Sequence, residues 1–599
     1  MGIIEKFNRE FTFFSAISRT IGRIKNNTPD SPLLVPDVFE RIAREKPDNV
    51  AILFEGTTYT YRDYEAAANR YARWAVAQGV KRGDCVALYM ENRPDYLFAW
   101  MGMLKAGATC ALINSNLEKK ALAHSVNIAS AQHLIVGAEC AERLAGAIDM
   151  LEPRPRIWST GGVIQGTDDL DAALAAEAPT PLAPEHRAGM TAKEKALYIY
   201  TSGTTGLPKA ANLSHMRLLN MMQGFAAGTK ATEKDRMYVV LPLYHSAGGV
   251  CAIGTVITVG GSMVLKRKFS VKEFWDDCHA LKPTLFQYIG ELCRYLLNAP
   301  EHPLERRHGL RLAVGNGLRP EVWKPFQERF AIPRILEFYG ATEGNVALFN
   351  YDGKVGSIGR IPFWLRNKMP TRIVRFDVER EEPIRGADGL CMECKPGEVG
   401  EAIGEIRDDE PRSRFEGYTK GHDTERKILR DVFQKGDRWF RTGDLLRQDE
   451  EGYFYFVDRI GDTYRWKGEN VATSEVAEVL SVFEGIKEAN VYGVKVPGAD
   501  GRAGMAALVV GQRETFDVKA LYDYLERQLP HYARPYFLRL QPEIEITGTF
   551  KHRKVDLVQQ GFNPSDIPDP IFLRDDDKKT YVALDAATYD ALTSGNWRF

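Results

Sequence analysis

The stretch YIYTSGTTGLPKAANLSH, Tyr198 to His215, decides how the chain is read. "ALYIYTS" has the apolar, β-branched and aromatic content of a buried strand, and Ser214 is placed to cap a helix whose apolar face carries Leu218, Met222 and Phe225. The Gly/Thr/Ser segment is therefore expected where a strand hands over to a helix. Gly203 and Gly206 allow close backbone approach, Thr201, Ser202, Thr204 and Thr205 add hydroxyls, and Lys209 adds charge. Those are the requirements for cradling a polyphosphate.

Working outward, apolar runs such as "CVALYM", "HLIVGA" and "MYVVLPL" alternate with helical patterns between residues 50 and 350. That alternation predicts an α/β fold of parallel, doubly wound sheets. Glycine-punctuated short strands follow to about residue 457, predicting a β-rich subdomain, and then a mixed α/β segment long enough to fold separately. No structure is assigned to the Pro- and Asp-rich tail "FNPSDIPDPIFLRDDDKKTYVAL".

The 599 residues are 44% hydrophobic and 27% charged, the balance of a globular protein with large cores. Seventy-nine basic and 80 acidic side chains leave a net charge of -1, so no global field favours nucleic acid and any anion is bound locally. Eight scattered cysteines and the lack of a secretory signal fit a reducing, cytoplasmic setting. Cys391 and Cys394 form a lone CxxC, which reads as two small apolar residues rather than a zinc site. No apolar run reaches the roughly 18 to 20 residues of a spanning helix. At the amino terminus, Ile4, Phe7, Phe11, Phe14, Ile17, Ile21 and Ile24 recur at spacings of three and four among Arg9, Arg19, Arg23 and Lys25. Such a basic amphipathic helix suits two settings: peripheral contact with an anionic membrane through residues 1–27, or docking on the protein's own body.

GxxxxGK[ST] is absent, since Ala210 follows Lys209, and there is no GxGxxG fingerprint, no GxSxG and no HExxH. "YTSGTTGLPK" instead resembles the signature of the adenylate-forming superfamily of acyl-CoA synthetases, luciferases and peptide-synthetase adenylation domains. The family's later stations appear in order. "LPLYHSAGG" places Tyr244 and His245 at the step beside the carboxylate, "VGNGL" places Gly317 at the turn against adenine, and "EFYGATEGN" supplies Tyr339, Thr342 and Glu343. By this resemblance Tyr339 covers adenine, Thr342 bonds the α-phosphate or bound carboxylate, and Glu343 ligates Mg2+. "RWFRTGDLL" supplies Asp444 and "YFVDRIGDTYRWKGEN" supplies Arg459 for the ribose hydroxyls, and "ITGTFKHRK" puts Lys551 at the catalytic lysine. The chain departs from the common pattern in having Gly548, Thr549 and Phe550 before that lysine and Gly461 at the hinge position.

"YGATEGN", "DRIGDTYRWKGENVATSEV", "TGTFKHRK" and "DPIFLRDDDKKTYVAL" look most like the fatty acid transport protein branch, the very long-chain acyl-CoA synthetases, over about residues 35 to 590. Beside the amphipathic segment, bounded at 1–30, the resemblance implies a large AMP-binding domain 31–458, a hinge 459–462 and a small mobile α/β domain 463–599. It implies a ligase acting in two steps: a fatty carboxylate attacks ATP to give acyl-adenylate and pyrophosphate, then the small domain turns about Asp458 to Asp462. That movement withdraws Lys551, brings in the loop of Trp466, Lys467 and Gly468, and lets coenzyme A release AMP. Rival readings are a CoA ligase for another carboxylate, such as an aryl or bile acid, and a lipid-binding or uptake protein with a vestigial ligase. Gly248, Gly249, Gly254, Gly260 and Gly261 fit either an alkyl tunnel or tight turns. Chain-length preference and oligomeric state are not legible.

Overall fold

The computed structural model describes residues 3–201, 207–497, 501–544 and 554–594. These form two compact units. One comprises Met1–Leu318, Val322–Pro362 and Glu405–Ile428, and the other Arg319–Glu321, Phe363–Gly404 and Leu429–Phe599.

The first unit holds two wound sheets. In one, strands run in the order Asp168–Asp169, Arg156–Thr160, His133–Gly137, Cys85–Tyr89, Thr109–Leu112, Lys195–Thr201 and Lys209–Ser214, all pairs parallel except the last. In the other, six parallel strands (Ile335–Gly340, Leu312–Asn316, Leu285–Ile289, Arg236–Val239, Ser262–Leu265, Val50–Phe54) are edged by antiparallel Ala347–Phe349 and Thr57–Thr60. Cys85–Tyr89 and Thr109–Leu112 are buried at every residue. This is why they read as continuous apolar runs: a parallel strand covered on both faces has no polar side to show. The α/β fold of wound sheets is as the sequence predicts.

The Tyr198–His215 stretch differs from that expectation in one respect. A second strand, Lys209–Ser214, precedes the helix and pairs antiparallel with Lys195–Thr201, Thr201 standing opposite Lys209. The strand Lys195–Thr201 is therefore followed by a second strand before the helix begins. Alanines at 210 and 211 and polar Asn212 hid the strand from a propensity argument. Ser214 does cap the helix His215–Gly228, its Oγ accepting from the Arg217 amide at 3.2 Å.

Gly248 and Gly249 lie in a π-helical turn, Ala247–Ala252, that continues into the helix Ile253–Ile257. A Cβ on Gly248 would stand 2.5 Å from the Pro242 carbonyl, one on Gly249 would run into the Leu243 carbonyl, and one on Gly254 into the Met222 side chain. A Cβ on Gly261 would meet the Asp235 carbonyl at 2.7 Å, and Gly260 has φ +78°. Four of these glycines thus let a helix and its exit press against neighbouring backbone and side chains, and only Gly260 answers to a turn.

The amino-terminal helix, Ile3–Ile24, forms as the spacing predicts. It docks on the unit through Phe13 and Ala16, with Phe13 edge-on to Tyr351 at 5.7 Å and the Arg19 Nε donating to the Ala227 carbonyl at 2.9 Å. Asn27, just beyond it, donates to Asn220 and Gln223 at 3.0 Å each. Most of the stripe seen in the sequence points away, Ile4, Phe7, Phe11 and Phe14 being 77%, 69%, 62% and 56% exposed, while Ile17 and Ile24 are half-buried. No helix among the described residues is long and apolar enough to cross a membrane.

In the second unit, the antiparallel strands Tyr453–Arg459, Arg438–Gln448, Val399–Glu405, Thr371–Asp377 and Glu382–Pro383 form the β-rich part. A five-stranded sheet orders Ile486–Val494, Ala503–Val510, Phe537–Leu540, Ile571–Asp575 and Thr580–Ala583. The tail that carried no assignment supplies its last two strands. Cys391 and Cys394 are free thiols, and no group of three or more His, Cys, Asp or Glu suited to a metal occurs among the described residues.

Packing at the π-helical turn is directly testable. Gly249→Ala is expected to cost about 1–3 kcal/mol by overpacking, read as a lower urea midpoint. Gly224→Ala, in a helix with nothing within 4 Å of its Cβ position, is expected to be neutral or stabilising by up to about 1 kcal/mol. Equal midpoints for the two variants would contradict the packing role.

Candidate active site

The strand Lys209–Ser214 is the floor of the site in the first unit. A short extended segment runs antiparallel beside it, with the Asn212 amide donating to the Gly417 carbonyl and the Thr419 amide to the Ala210 carbonyl, both at 3.0 Å. From this segment three side chains reach residues of the motif stations. Glu416 accepts from the Ser214 amide at 2.7 Å and from its hydroxyl at 2.5 Å. The Tyr418 hydroxyl donates to the Glu343 carboxylate at 2.6 Å. Asp423 pairs with the Lys209 ammonium at 2.9 Å, both side chains largely buried.

Arg217 completes the arrangement from the first turn of the helix. Its guanidinium donates to the carbonyls of Ala341, Thr342 and Gly344, wrapping the backbone around Glu343. Burial lowers its pKa, with Glu416 and Glu343 acting in the opposite sense. Ser246 and Thr342 share a hydroxyl–hydroxyl hydrogen bond of 2.9 Å, which brings the "YHS" step against the "YGATEGN" turn. Asn345 anchors the end of that turn, donating to the carbonyls of Glu405 and Ser413 at 2.7 and 2.9 Å.

His245 is half-buried, and its Nδ1 accepts from the Ala247 amide at 3.3 Å. Tyr244 is buried, its hydroxyl accepting from Asn116 at 3.3 Å. Asn92 fixes the approach to both, accepting from the Leu243 amide at 2.9 Å and donating to the Leu241 carbonyl at 3.0 Å. Gly317 has φ +76°, the left-handed conformation that favours glycine, at the end of the strand Leu312–Asn316. Tyr339 is half-buried on the neighbouring strand, Ile335–Gly340.

In the second unit Asp444 and Arg459 stand directly opposite each other on paired strands, the Arg459 Nε 3.7 Å from the carboxylate. Arg459 is exposed and Asp444 half-buried, so both are open to a ligand. Just beyond, Gly461 has φ +90°. Asp458 accepts from the Thr473 amide at 2.6 Å and the Thr463 hydroxyl at 3.1 Å, and Lys554 pairs with Asp462 at 3.2 Å. Trp466 is fully buried, while Lys467 and Gly468 both take positive φ at the tip of the hairpin Tyr464–Val471.

The structure thus brings Lys209, Thr342 and Glu343 into one bonded cluster, with His245 beside it through Ser246. It pairs Asp444 with Arg459, and leaves Thr201 at the end of its strand. Ser202, Gly203, Thr204, Thr205, Gly206 and Lys551 lie outside the described residues. Sequence reasoning missed Arg217, Glu416, Tyr418 and Asp423. An arginine in the first turn of an otherwise apolar helix was a usable signal. The "FEGYTKGHD" run was not, because its roles depend on a strand pairing across more than 200 residues.

Comparison with known proteins agrees with this geometry. The family model for AMP-binding enzymes matches residues 39–401, and that for the AMP-binding enzyme C-terminal domain matches residues 475–551. Mouse long-chain fatty acid transport protein 6 is 43% identical over 94% of this chain and 90% of its own length. Rat long-chain fatty acid transport protein 2 is 42% identical over 98% and 94%. Among solved structures, an anthranilate CoA ligase in complex with anthranoyl-AMP superposes with a TM-score of 0.74 at 21% identity, covering 88% of this chain and 96% of its own. The O-succinylbenzoate coenzyme A synthetase of Bacillus subtilis in complex with AMP gives 0.69 at 23% identity, covering 88% and 98%. The chain belongs to the AMP-binding enzymes, within them to the long-chain fatty acid transport protein family, and is an AMP-forming acyl-CoA synthetase that works through an acyl-adenylate.

Proposed function

We propose that this synthetase activates long-chain or very long-chain fatty acids, and that it takes them from a membrane surface. The observation that carries the reading is the cluster of Lys209, Thr342 and Glu343 bound together by Arg217, Tyr418 and Asp423 in a chain whose relatives are named for long-chain fatty acids. An intact phosphate lysine and acid, each individually held, argue against a vestigial ligase.

In this reading, the hydroxyls and amides of Thr201 to Gly206 and the Lys209 ammonium hold the β- and γ-phosphates. Glu343 holds Mg2+. One buried carboxylate suits that ion, which usually takes one or two carboxylates plus substrate phosphates and water. When bound, the ion offsets charge developing on the departing pyrophosphate. Adenine lies between the Gly317 turn and Tyr339, and Asp444 and Arg459 take the ribose hydroxyls. The acyl carboxylate enters by His245 and Thr342, and Lys551 offsets charge as its oxygen attacks the α-phosphorus. Domain 463–599 then turns on the 459–462 hinge, where glycine at 461 absorbs the change in dihedral angles. The hairpin of Trp466, Lys467 and Gly468 replaces Lys551, and the coenzyme A thiolate attacks the mixed anhydride to expel AMP.

The membrane part rests on the exposed stripe of Ile4, Phe7, Phe11 and Phe14. Its docking contacts hold the helix by another face, so Ile4, Phe7, Phe11 and Phe14 remain exposed, with exposed Lys6, Arg23 and Lys25 on the same helix or just past its end to meet anionic lipid. A long acid is poorly soluble, and delivery from a bilayer avoids its transfer through water. Coupling of activation to uptake follows from the same arrangement, because converting the acid to a charged thioester on one side removes it from the exchangeable pool.

Formation of AMP and acyl-CoA with MgATP, coenzyme A and straight-chain acids of graded length, beside aryl and bile acids, tests the substrate. Turnover is expected to be greatest with long chains. A maximum with a ring acid would replace the substrate, and lipid binding without acid-dependent AMP would replace the ligase. Deleting residues 1–27 is expected to abolish sedimentation with anionic liposomes and leave turnover of detergent-dispersed acid largely intact. Undiminished sedimentation would overturn the membrane reading.

A further inference from the structure

Beside Lys209 the first unit holds a cavity of about 170 Å³ to which the reaction scheme gives no task. Its wall carries His124, Lys209, Lys420, His422, Asp423 and Arg426. His124 comes from the helix Lys119–Ile128, which Tyr200 ties to the strand Lys195–Thr201 by donating to the Ser125 carbonyl at 2.6 Å. The His124 Nε2 donates to the Pro208 carbonyl at 3.2 Å, one residue before Lys209. On the other side Lys420 and Arg426 flank the short helix Gly421–Glu425, and both are exposed. The recess thus runs from a largely buried lysine to a mouth open to water.

The charges around it do not balance. Asp423 is the one acid in the wall, and it is already committed to Lys209 at 2.9 Å, with the His422 Nε2 3.5 Å from the same oxygen. Lys420 and Arg426 have no carboxylate partner among the described residues. The excess of positive charge is felt at His124, whose pKa is lowered first by burial and then by the Lys420 ammonium. A cleft lined by one sign of charge concentrates the opposite ion. Here the ion is small and multiply charged, because the recess has room for an inorganic diphosphate and is too small for a nucleotide.

We propose that this recess is an outer subsite for pyrophosphate: the leaving diphosphate passes from Lys209 to Lys420 and Arg426, and Asp423 takes Lys209 back as it goes. This rests on the reading that Lys209 holds the β- and γ-phosphates. No covalent bond changes in the step, only the partners of three cations. A largely buried ammonium that lost its anion outright would be left uncompensated, which is strongly unfavourable. The Asp423 carboxylate at 2.9 Å removes that penalty, and the cations at the mouth give the product its next partner. The two groups act with opposite sign, since Lys420 and Arg426 attract the diphosphate while Asp423 competes with it.

The experiment compares Lys420→Ala, Lys420→Arg, Arg426→Ala and Asp423→Asn with the wild-type full chain. Acid-dependent exchange of labelled pyrophosphate into ATP is measured without coenzyme A, and inhibition of acyl-CoA formation by pyrophosphate with it. In each alanine variant the KM for pyrophosphate in exchange and its Ki in the forward reaction are expected to rise about fivefold. These rises are expected to exceed any in the KM for ATP or coenzyme A by at least about threefold. Lys420→Arg is expected to restore wild-type values. Asp423→Asn is expected to lower the KM for pyrophosphate, and that for ATP with it, because a triphosphate meets the same competition. Lys420 and Arg426 are exposed, so their variants decide the matter if Asp423→Asn does not fold. Unchanged pyrophosphate constants in both alanine variants, or an equal rise in the KM for ATP, would overturn the subsite. A rise confined to coenzyme A would assign the recess to that cosubstrate's phosphates and overturn it too, and weaker pyrophosphate binding by folded Asp423→Asn would overturn the role of Asp423. A wild type that exchanges no pyrophosphate with any acid would remove the phosphate role of Lys209 itself and the proposal with it.

Discussion

The Tyr418 hydroxyl bonded to the Glu343 carboxylate is the contact on which the rest of the site depends. Glu343 sits in a turn with little regular structure, and a short carboxylate there would ordinarily sample many positions. Tyr418 fixes the oxygen end, while Arg217 fixes the backbone by taking up the carbonyls of Ala341, Thr342 and Gly344. The segment that carries Tyr418 also carries Glu416 and Asp423, which hold Ser214 and Lys209. One stretch of eight residues, Glu416 to Asp423, thus orders an acid and a base from motifs far apart in sequence. Such preorganisation matters in phosphoryl chemistry, where catalysis is mostly placement of charge around a group that needs little covalent help. In the proposed function a triphosphate, with several charges to its one, would compete with the Asp423 carboxylate for Lys209.

The same economy governs the region after His245. Five closely spaced glycines fitted either an alkyl tunnel or tight turns, yet those at 248, 249, 254 and 261 face carbonyls and a methionine side chain at distances that leave no space. Their absent side chains are used to bring elements together. The amino-terminal helix makes the opposite compromise. It gives up an apolar stripe to solvent while a second face, invisible to a search for one stripe, secures it to the body through Phe13, Ala16 and Arg19.

What the sequence revealed follows the physics of each signal. Buried parallel strands such as Cys85–Tyr89 are apolar throughout and were legible as runs. The stations Lys209, Thr342, Glu343, Asp444 and Arg459 were legible because each lies in a short string constrained over several positions. The strand Lys209–Ser214 was not, since its residues have weak β-propensity and its place is imposed by pairing with Lys195–Thr201. Tyr418 and Asp423 were invisible for a related reason: a tyrosine or an aspartate takes on a role here only through a partner 75 or 214 positions away. The tail illustrates the converse. Its prolines and aspartates concealed two strands, Ile571–Asp575 and Thr580–Ala583, that gain their order from the sheet they extend.

Attack of the carboxylate itself on the α-phosphorus is tested by isotope placement, without any substitution. A long-chain acid labelled with 18O in both carboxylate oxygens is turned over with MgATP and coenzyme A, and the AMP and pyrophosphate are weighed by mass spectrometry. One labelled oxygen is expected in each AMP and none in pyrophosphate, because the P–O bond made in the adenylate is kept when the thiolate breaks the acyl C–O bond. Unlabelled AMP, or label in a phosphate released alongside ADP, would contradict the account.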